Sequence, residues 1–575
     1  MYRAKIEEIL KKETGEKGIS LDFPEREEFG DFATSIALVL VKKEGNDPKS
    51  VAEGLVDKLR KNDGLREIIE KIEVAGPGFI NFFLSQKALL ENLQNAQEEN
   101  YGSSDMGAGK TVLVEYSSPN IAKSFGVGHL RSTIIGQALF NLFRALGYQT
   151  VSENHLGDWG TQFGAILAQI ANLHLAVSDL SVEKLEELYV DFNKKARDDP
   201  KLWDEARGWF KKLEEGDSEA KQIWEAVRKI SFEEFERIYK RLGVSFENMH
   251  GESFYQDKMP AVLEEARAKG LSKKSEGAEI VEFPKMPPAM LVKSDGTTTY
   301  FTRDLATAKY RVETWNPEVL IYEVGSDQIL HLRQVFETAR LLGWAEGRQF
   351  VHVAHGLIRF QGGKMSTRAG QSIKLEGVLN EAVKRAREII EKSETGRGLS
   401  EDEKEKVSEM VGIGAIKYFD LMHHPQTDII FDWDKIFVLE GNSGPYLQYT
   451  YARTNSVLAK VKDQNSLRAG ASGRVVKTPN LEIGDWKLEI NPEELLVLRS
   501  LVRFSDVIAS SAKNYSPNLL ANYLFELAQK YNNFYNQHRI IGGENEEFRS
   551  ALTFGVGGVL KKGLGLLGID TPERM

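Results

Sequence analysis

The sequence predicts an α/β chain built around a doubly wound, parallel sheet that binds a nucleotide. A small α/β unit precedes it and a helical region follows. Three observations predict this. Thr111–Ser117 (TVLVEYS) is a short β-branched run fit for a buried parallel strand, followed by a glycine-rich loop, an amphipathic helix and the strand-like YQTVSEN (148–154). A second unit repeats the order: VLIYEVG (319–325), a helix from Leu330 to Leu342, then QFVHVAHGLI (349–358). Beyond about residue 375 the periodicity is mostly helical.

Residues 1–106 form the first unit: a helical start, DFPEREEFGDFATSIALVL, a helical run near 50–62, and KIEVAGPGFINFFL, which alternates like a strand around a Gly-Pro-Gly turn. The polar EENYGSSDMGAGK (98–110) reads as a linker. In the helix after the first strand, Leu130, Ile134, Ala138, Leu142 and Leu146 recur every four residues, Ile135, Leu139 and Phe143 widen that face, and Gly147 ends it. The loop between them stands where doubly wound folds bind nucleotides. A charged helical insertion, about 170–270, separates the two halves of a catalytic region spanning 107–400. Residues 401–575 make the helical C-terminal domain.

Length and composition bound the function. A chain of 575 residues is too long for one core. With 41% hydrophobic and 28% charged residues it reads as a soluble globular protein. The most apolar early run, Ile36 to Val41, is six residues long, far short of the ~18 that a membrane span needs. MYRAKIEEIL is charged and amphipathic and lacks a signal-peptide core, so a cytoplasmic enzyme is expected. The absence of cysteine removes disulfides, thiolate nucleophiles and cysteine-based zinc, and no protein-bound metal is expected. The net charge of −10 weighs against nucleic acid only weakly, because binding follows the local field.

Two motifs carry chemistry. In SSPNIAKSFGVGHLRST (117–133), Gly126 and Gly128 leave room for a phosphate to approach. The helix starts near His129, so its free N–H groups face the loop, His129 can donate to a phosphate oxygen, and Lys123 adds a mobile charge. In FQGGKMSTRAGQSI (360–373), Gly362 and Gly363 give freedom while Lys364 and Arg368 give positive charge, as a loop closing on transferring phosphates requires. The plainer readings are a simple turn before a helix and a solvated surface loop.

Together the two motifs resemble the paired signature of class I aminoacyl-tRNA synthetases: a glycine–histidine loop after the first strand and a KMS loop after the last. Glu115, Asn120, DWGTQFG (158–164), GESFYQD (251–257), YFTRDLATAKY (300–310) and VGSDQILHLRQ (324–334) resemble the arginyl-tRNA synthetase family. The resemblance extends from EFGDFATSIAL to the closing LGLLGIDTPERM. It implies a Rossmann-like catalytic domain, an additional N-terminal tRNA-binding domain and a helical-bundle anticodon-binding domain. The implied reaction is activation of L-arginine by ATP to arginyl-adenylate with release of pyrophosphate, then transfer to tRNA(Arg), with Mg²⁺ accompanying ATP and the chain acting as a monomer.

The resemblance assigns roles. His129, Lys123 and Lys364 serve the chemistry. Gly126, Gly128, His129, His355, Gly356, Lys364, Met365 and Ser366 hold ATP. Glu115, Tyr300 and Asp304 meet the guanidinium, and Asn120 and Gln328 the α-amino and carboxylate end. A planar fork of five donors suits carboxylates and a phenol, and Tyr300 and Asp304, four apart, share a helix face. The plainer reading of Asp304 is an ion pair with Arg303 or Lys309; that of His155 and Asp158 is shaping the strand end. Tyr446, Tyr449, Tyr451 and Arg453 put aromatics beside a cation, as unpaired anticodon bases favour, although a single tyrosine of this kind is more often core. Phe29, with Asp31 and Phe32, lies in the segment of the N-terminal unit expected to touch the tRNA.

The chain departs from the family where Gly126 replaces a histidine, Ser124 a proline and Thr367 the second KMSKS lysine, for which Lys123 is the expected substitute. Gly126 leaves one alternative open: a catalytically silent paralogue that binds tRNA or arginine. The cysteinyl enzyme is a further rival, opposed by the missing zinc cysteines and the YFTRD segment.

Overall fold

The computed structural model describes residues 2–24, 26–44, 47–360, 373–470 and 489–575. Its N-terminal unit is an antiparallel sheet of β1 (Phe32–Thr34), β2 (Ile69–Ala75) and β3 (Phe79–Leu84), in the order β1-β3-β2. The Gly-Pro-Gly turn makes β2 and β3 a hairpin, since Gly76 and Gly78 take φ of 52° and 125°, which side chains resist. The helix Pro48–Leu59 covers the sheet. It starts where Asp47 accepts the Ser50 N–H at 2.9 Å and Pro48 takes the first turn.

The central sheet is parallel, in the order β10-β9-β4-β5, from β4 (Thr111–Glu115), β5 (Gln149–Glu153), β9 (Val319–Gly325) and β10 (Gln349–His355). Val112, Leu113, Val114, Leu320 and Ile321 are buried, as a sheet covered on both faces demands. Behind it runs α1 (Gly128–Ala145), which begins within one residue of the expected start. Gly136 lets α1 press onto the sheet: a Cβ there would lie 2.1 Å from that of Tyr116. Gly147, at φ 82°, turns the chain into β5.

The insertion is helical, including α2 (Val182–Asp198) and α3 (Ser218–Arg241). It is followed by an antiparallel sheet of β6 (Ser272–Ser275), β7 (Ala278–Phe283) and β8 (Met286–Val292), which the sequence reading does not anticipate. Its outer strands explain why. β6 reads SKKS, without an apolar alternation, and β8 carries Pro287 and Pro288, tolerated because β8 is an edge. Then come α4 (Tyr300–Trp315) before β9 and α5 (Ile329–Leu341) after it. A two-stranded parallel pair, β11 (Ile358–Phe360) with β12 (Ile429–Phe431), ties the end of the second half to the helical region. The rest is helical and includes α6 (Glu401–Leu421), α7 (Gly444–Gly470), α8 (Asn518–Gln537) and α9 (Glu546–Leu566). Among the described residues no helix is long and apolar enough to cross a membrane.

Candidate active site

The signature loop is bent against the preference of its residues. Ser117, Ser118 and Ala122 take positive φ of 75°, 47° and 61°, although none is glycine. Such backbone costs on the order of 1–3 kcal/mol per residue and persists only where surroundings impose it. Here side chains from several elements do so. The Ser117 N–H donates to Ser132 Oγ (2.9 Å), the Ser118 N–H to Asn154 Oδ1 (3.0 Å), the Ala122 N–H to Ser231 Oγ (2.9 Å) and the Phe125 N–H to Glu234 Oε1 (3.1 Å). Ser124 Oγ donates to Glu186 at 2.7 Å.

His129 stands in the first turn of α1. The Gly126 N–H donates to its Nδ1 at 3.3 Å. Burial, reinforced by the charge of Lys123, pushes the imidazole down to about 4. The neutral ring therefore carries its proton on Nε2, which is the donor available to a phosphate. Lys123 rests with Nζ 5.1 Å from the Tyr189 ring centroid.

Lys364, Met365 and Ser366, with Thr367 and Arg368, lie outside the described residues; both flanks are placed. Phe360 ends β11 in register with Phe431. On the other side the Val127 N–H donates to Ile373 O and the Leu375 N–H to Phe125 O, both at 2.9 Å, and Gly126 bridges to Lys374. The first loop thus meets the C-terminal flank of the second motif. His355 ends β10, with Nδ1 2.9 Å from Glu323 Oε1; burial opposes its charge, but Glu323 wins and raises it above the ordinary histidine value. Gly356 admits the segment 425–428: a Cβ there would lie 2.8 Å from the Thr427 backbone.

Exposure falls along one face of α4: Tyr300 is 61% exposed, the Asp304 side chain 29% exposed one turn down, and Arg311 fully buried two turns further. Asp304 accepts from His331 Nε2 at 2.5 Å and lies 3.9 Å from His155 Nε2. Burial would raise its carboxyl, but His331 prevails and holds it below the usual range. Neither Arg303 nor Lys309 takes it: they pair with Glu252 (3.0 Å) and Glu265 (2.9 Å). Tyr300 packs on the same His331, ring centroids 4.8 Å apart.

Glu115 is not free. The geometry differs from the expected open carboxylate because Arg311 reaches up from α4 and takes Glu115 with one guanidinium nitrogen and Glu153 Oε2 with another, the latter at 2.5 Å. Glu153 also accepts from Tyr255 OH (2.6 Å) and lies 3.2 Å from His250 Nδ1. Burial alone would raise Glu153; Arg311 and these bonds hold it at about 2. Asn120 bridges to Gly157, which must be glycine because a Cβ would meet Asn120 Oδ1 at 1.9 Å. Gln328 ends the turn before α5, bonded to Asp327 at 3.2 Å. Asp158 accepts from the Ser253 N–H and Oγ, both 2.8 Å, which makes it a loop anchor. His155 is largely covered beside Asp304, and neither of its ring nitrogens has a hydrogen-bond partner.

His331, Arg311, Glu153 and Tyr255 join the site although the sequence reading names none of them in it. Arg311 had a signal, seven residues after Asp304 on the same helix face; Glu153 had none.

In the C-terminal region, Tyr446, Tyr449 and Arg453 line one groove of about 700 Å³ with Phe525, Asn532 and Met575. The Arg453 guanidinium stacks between Tyr449 (4.8 Å) and Tyr535 (4.9 Å). Tyr451 is core. Phe29 is 40% exposed, whereas Asp31 and Phe32 are buried.

Three family models match in chain order: the arginyl tRNA synthetase N-terminal domain at residues 1–84, the catalytic domain of class I (R) tRNA synthetases at 91–433, and the DALR anticodon binding domain at 447–575. The arginine–tRNA ligase of Clostridium beijerinckii is 39% identical, with 100% of both chains covered. The crystal structure of Plasmodium falciparum arginyl-tRNA synthetase superposes with a TM-score of 0.82 at 25% identity, over 100% of this chain and 98% of that one. The Thermus thermophilus arginyl-tRNA synthetase shares the fold, with a TM-score of 0.77 at 23% identity over 100% of both chains. With sequence likeness, domain order and fold in agreement along its whole length, the chain belongs to the class I arginyl-tRNA synthetase family.

Proposed function

We propose that the two-histidine seat of Asp304 is the guanidinium site and that the loop holding neutral His129 is the ATP site. The chain is an arginine–tRNA ligase. Its arginine carboxylate attacks the α-phosphorus of ATP, the P–O bond to pyrophosphate breaks, and arginyl-adenylate forms. A hydroxyl of the terminal tRNA adenosine then attacks the acyl carbon and AMP leaves. No enzyme nucleophile is needed, so rate comes from positioning and charge. Mg²⁺ arrives with ATP as part of the substrate.

In this reading His129 Nε2–H and Lys123 face the phosphates, joined by Lys364, while Gly126, Gly128, His355, Gly356, Met365 and Ser366 shape the nucleotide site. Tyr300 covers a guanidinium held by Asp304. Glu115 acts through Arg311 as the charged floor, and Asn120 and Gln328 take the amino-acid end. Residues 1–106 and 401–575 grip the tRNA, the latter through Tyr446, Tyr449 and Arg453, and Phe29 adds a contact. The protein works as a cytoplasmic monomer.

The single observation that carries the amino-acid assignment is Asp304, a carboxylate kept ionised at a half-exposed mouth beside Tyr300. Charging of total tRNA with arginine, cysteine and lysine in the presence of ATP tests it. Arginine alone is charged, and Asp304→Asn raises KM for arginine about 10²-fold with KM for ATP unchanged, as expected for one partner lost from a desolvated charge pair. Cysteine charging without arginine charging would sink the reading. Binding of arginine or tRNA without charging would establish the silent paralogue that Gly126 leaves open.

A further inference from the structure

The signature loop is gripped from outside the sheet by two helices of the insertion: α3 holds the Ala122 and Phe125 N–H groups through Ser231 and Glu234, and α2 holds side chains of the loop. The apolar stripe of α2, Leu185, Leu188, Phe192 and Ala196, is buried. The adjacent stripe, Glu183, Glu186 and Tyr189, is spaced by three and so lies along one side. Each member of that stripe touches the nucleotide machinery. Glu183 Oε1 is 3.1 Å from Lys374 Nζ, on the residue that bridges to Gly126. Glu186 accepts from buried Ser124 Oγ at 2.7 Å. Tyr189 carries Lys123 over its ring.

Ser124 stands where the family usually has proline, directly after the lysine and two residues before Gly126. A proline fixes φ by its ring; a serine leaves it free. The Ser124–Glu186 hydrogen bond supplies that restraint, between Ala122 and Phe125, whose N–H groups α3 already holds. We propose that Glu186 and Tyr189 of α2 are positioning residues for ATP, acting through Ser124 and Lys123. The insertion thus sets the geometry of the loop in place of the proline. This rests on the reading of the loop as the ATP site.

The test uses the full chain, tRNA(Arg) and ATP–pyrophosphate exchange, with KM for ATP, KM for arginine and kcat measured separately. Ser124→Ala, which removes the charge-assisted hydrogen bond, raises KM for ATP about 5- to 10-fold; Glu186→Gln, whose amide oxygen still accepts but without the charge, raises it by less; both leave KM for arginine within about twofold. The double variant is no worse than Ser124→Ala alone, because both changes act on the same bond. Ser124→Pro restores KM for ATP even in the Glu186→Gln background. Tyr189→Ala changes KM for ATP while Tyr189→Phe, which keeps the ring, does not.

Additive effects of Ser124→Ala and Glu186→Gln, equal shifts in both KM values, or failure of Ser124→Pro to rescue would overturn the proposal. His129→Ala separates this from the underlying reading. If it leaves KM for ATP and kcat unchanged, the loop is not the ATP site. If it abolishes exchange while Glu186→Gln changes nothing, the loop is the site and α2 does not position it.

Discussion

On the proposed reading of the loop as the ATP site, Gly126 is the residue on which its chemistry turns. Its N–H already serves the site by donating to His129 Nδ1, which fixes the imidazole as an Nε2–H donor. What it lacks is a side chain of its own, at the position where the family resemblance implies a second phosphate donor. A preorganised donor of this kind is worth about 10²–10³ in rate when removed. Gly126→His is therefore expected to raise adenylate formation about 10-fold or more in single-turnover exchange at limiting ATP. An unchanged rate at both limiting and saturating ATP would mean that Lys123 and its neighbours already do the work. Single residues of this sort were readable because motif chemistry is local: Asn120, Lys123, Gly126 and His129 sit within ten residues. The partners that modify them were not. Nothing in the sequence ties Ser124 to Glu186 or Ala122 to Ser231, which are 62 and 109 residues apart along the chain. The same distance in sequence hid the capture of Glu115, since an acidic residue at a strand end reads alike whether it faces a ligand or a buried arginine.

At the scale of elements, period carried most of the fold. β4 and β9 and the helix α1 were legible because central parallel strands buried on both faces are continuous apolar runs and the helix repeats every four residues, and the edge strands β5 and β10 were legible as the strands that return after a helix. The small sheet β6-β7-β8 and the three-residue strands β11 and β12 were not, because edge strands carry polar residues or proline and short ones carry no period. What joins the legible elements is Arg311. From α4 it reaches the ends of both β4 and β5 through Glu115 and Glu153, so it holds α4 to the carboxyl edge of the sheet. Removing it leaves two buried carboxylates without their counter-ion. Arg311→Leu is expected to cost about 3–5 kcal/mol, read as a lower urea midpoint for the catalytic region by near-UV circular dichroism. A loss below about 1 kcal/mol, the range of exposed ion pairs, would show that the pair is not the tie between helix and sheet.

At the scale of the whole molecule, the three domains are fastened at points that no single motif announces. The stretch 98–110 reads as a linker, yet Tyr101 OH donates to Leu501 O at 2.6 Å and its ring stacks on Phe504. Asp31 meets Arg499 at 3.2 Å and Glu27 meets Lys530 at 2.7 Å, so part of the segment expected to face tRNA instead docks the N-terminal unit on the C-terminal bundle. The deepest fastening is Lys417 of α6. Its buried ammonium donates to the carbonyl of Leu242, at the end of the insertion helix α3, and to that of Gly568, just past α9. Burial pushes this lysine down to about 8, with Asp570 opposing. Lys417→Met keeps the volume but leaves two carbonyls unpaired, so it is expected to destabilise the junction by about 1–3 kcal/mol. The pH dependence has a definite sign. The unfolded lysine holds its proton up to about 10.5, whereas the folded one releases it near 8, so between these values the unfolded state binds more protons. The stability of the native chain relative to Lys417→Met should therefore rise as pH increases from about 8 to 10.5 and be flat below 8. Paired thermal melts at pH 7, 8.5 and 9.5 read this directly. A difference that shrinks over that interval would mean that the ammonium, not the neutral amine, is the form the junction favours.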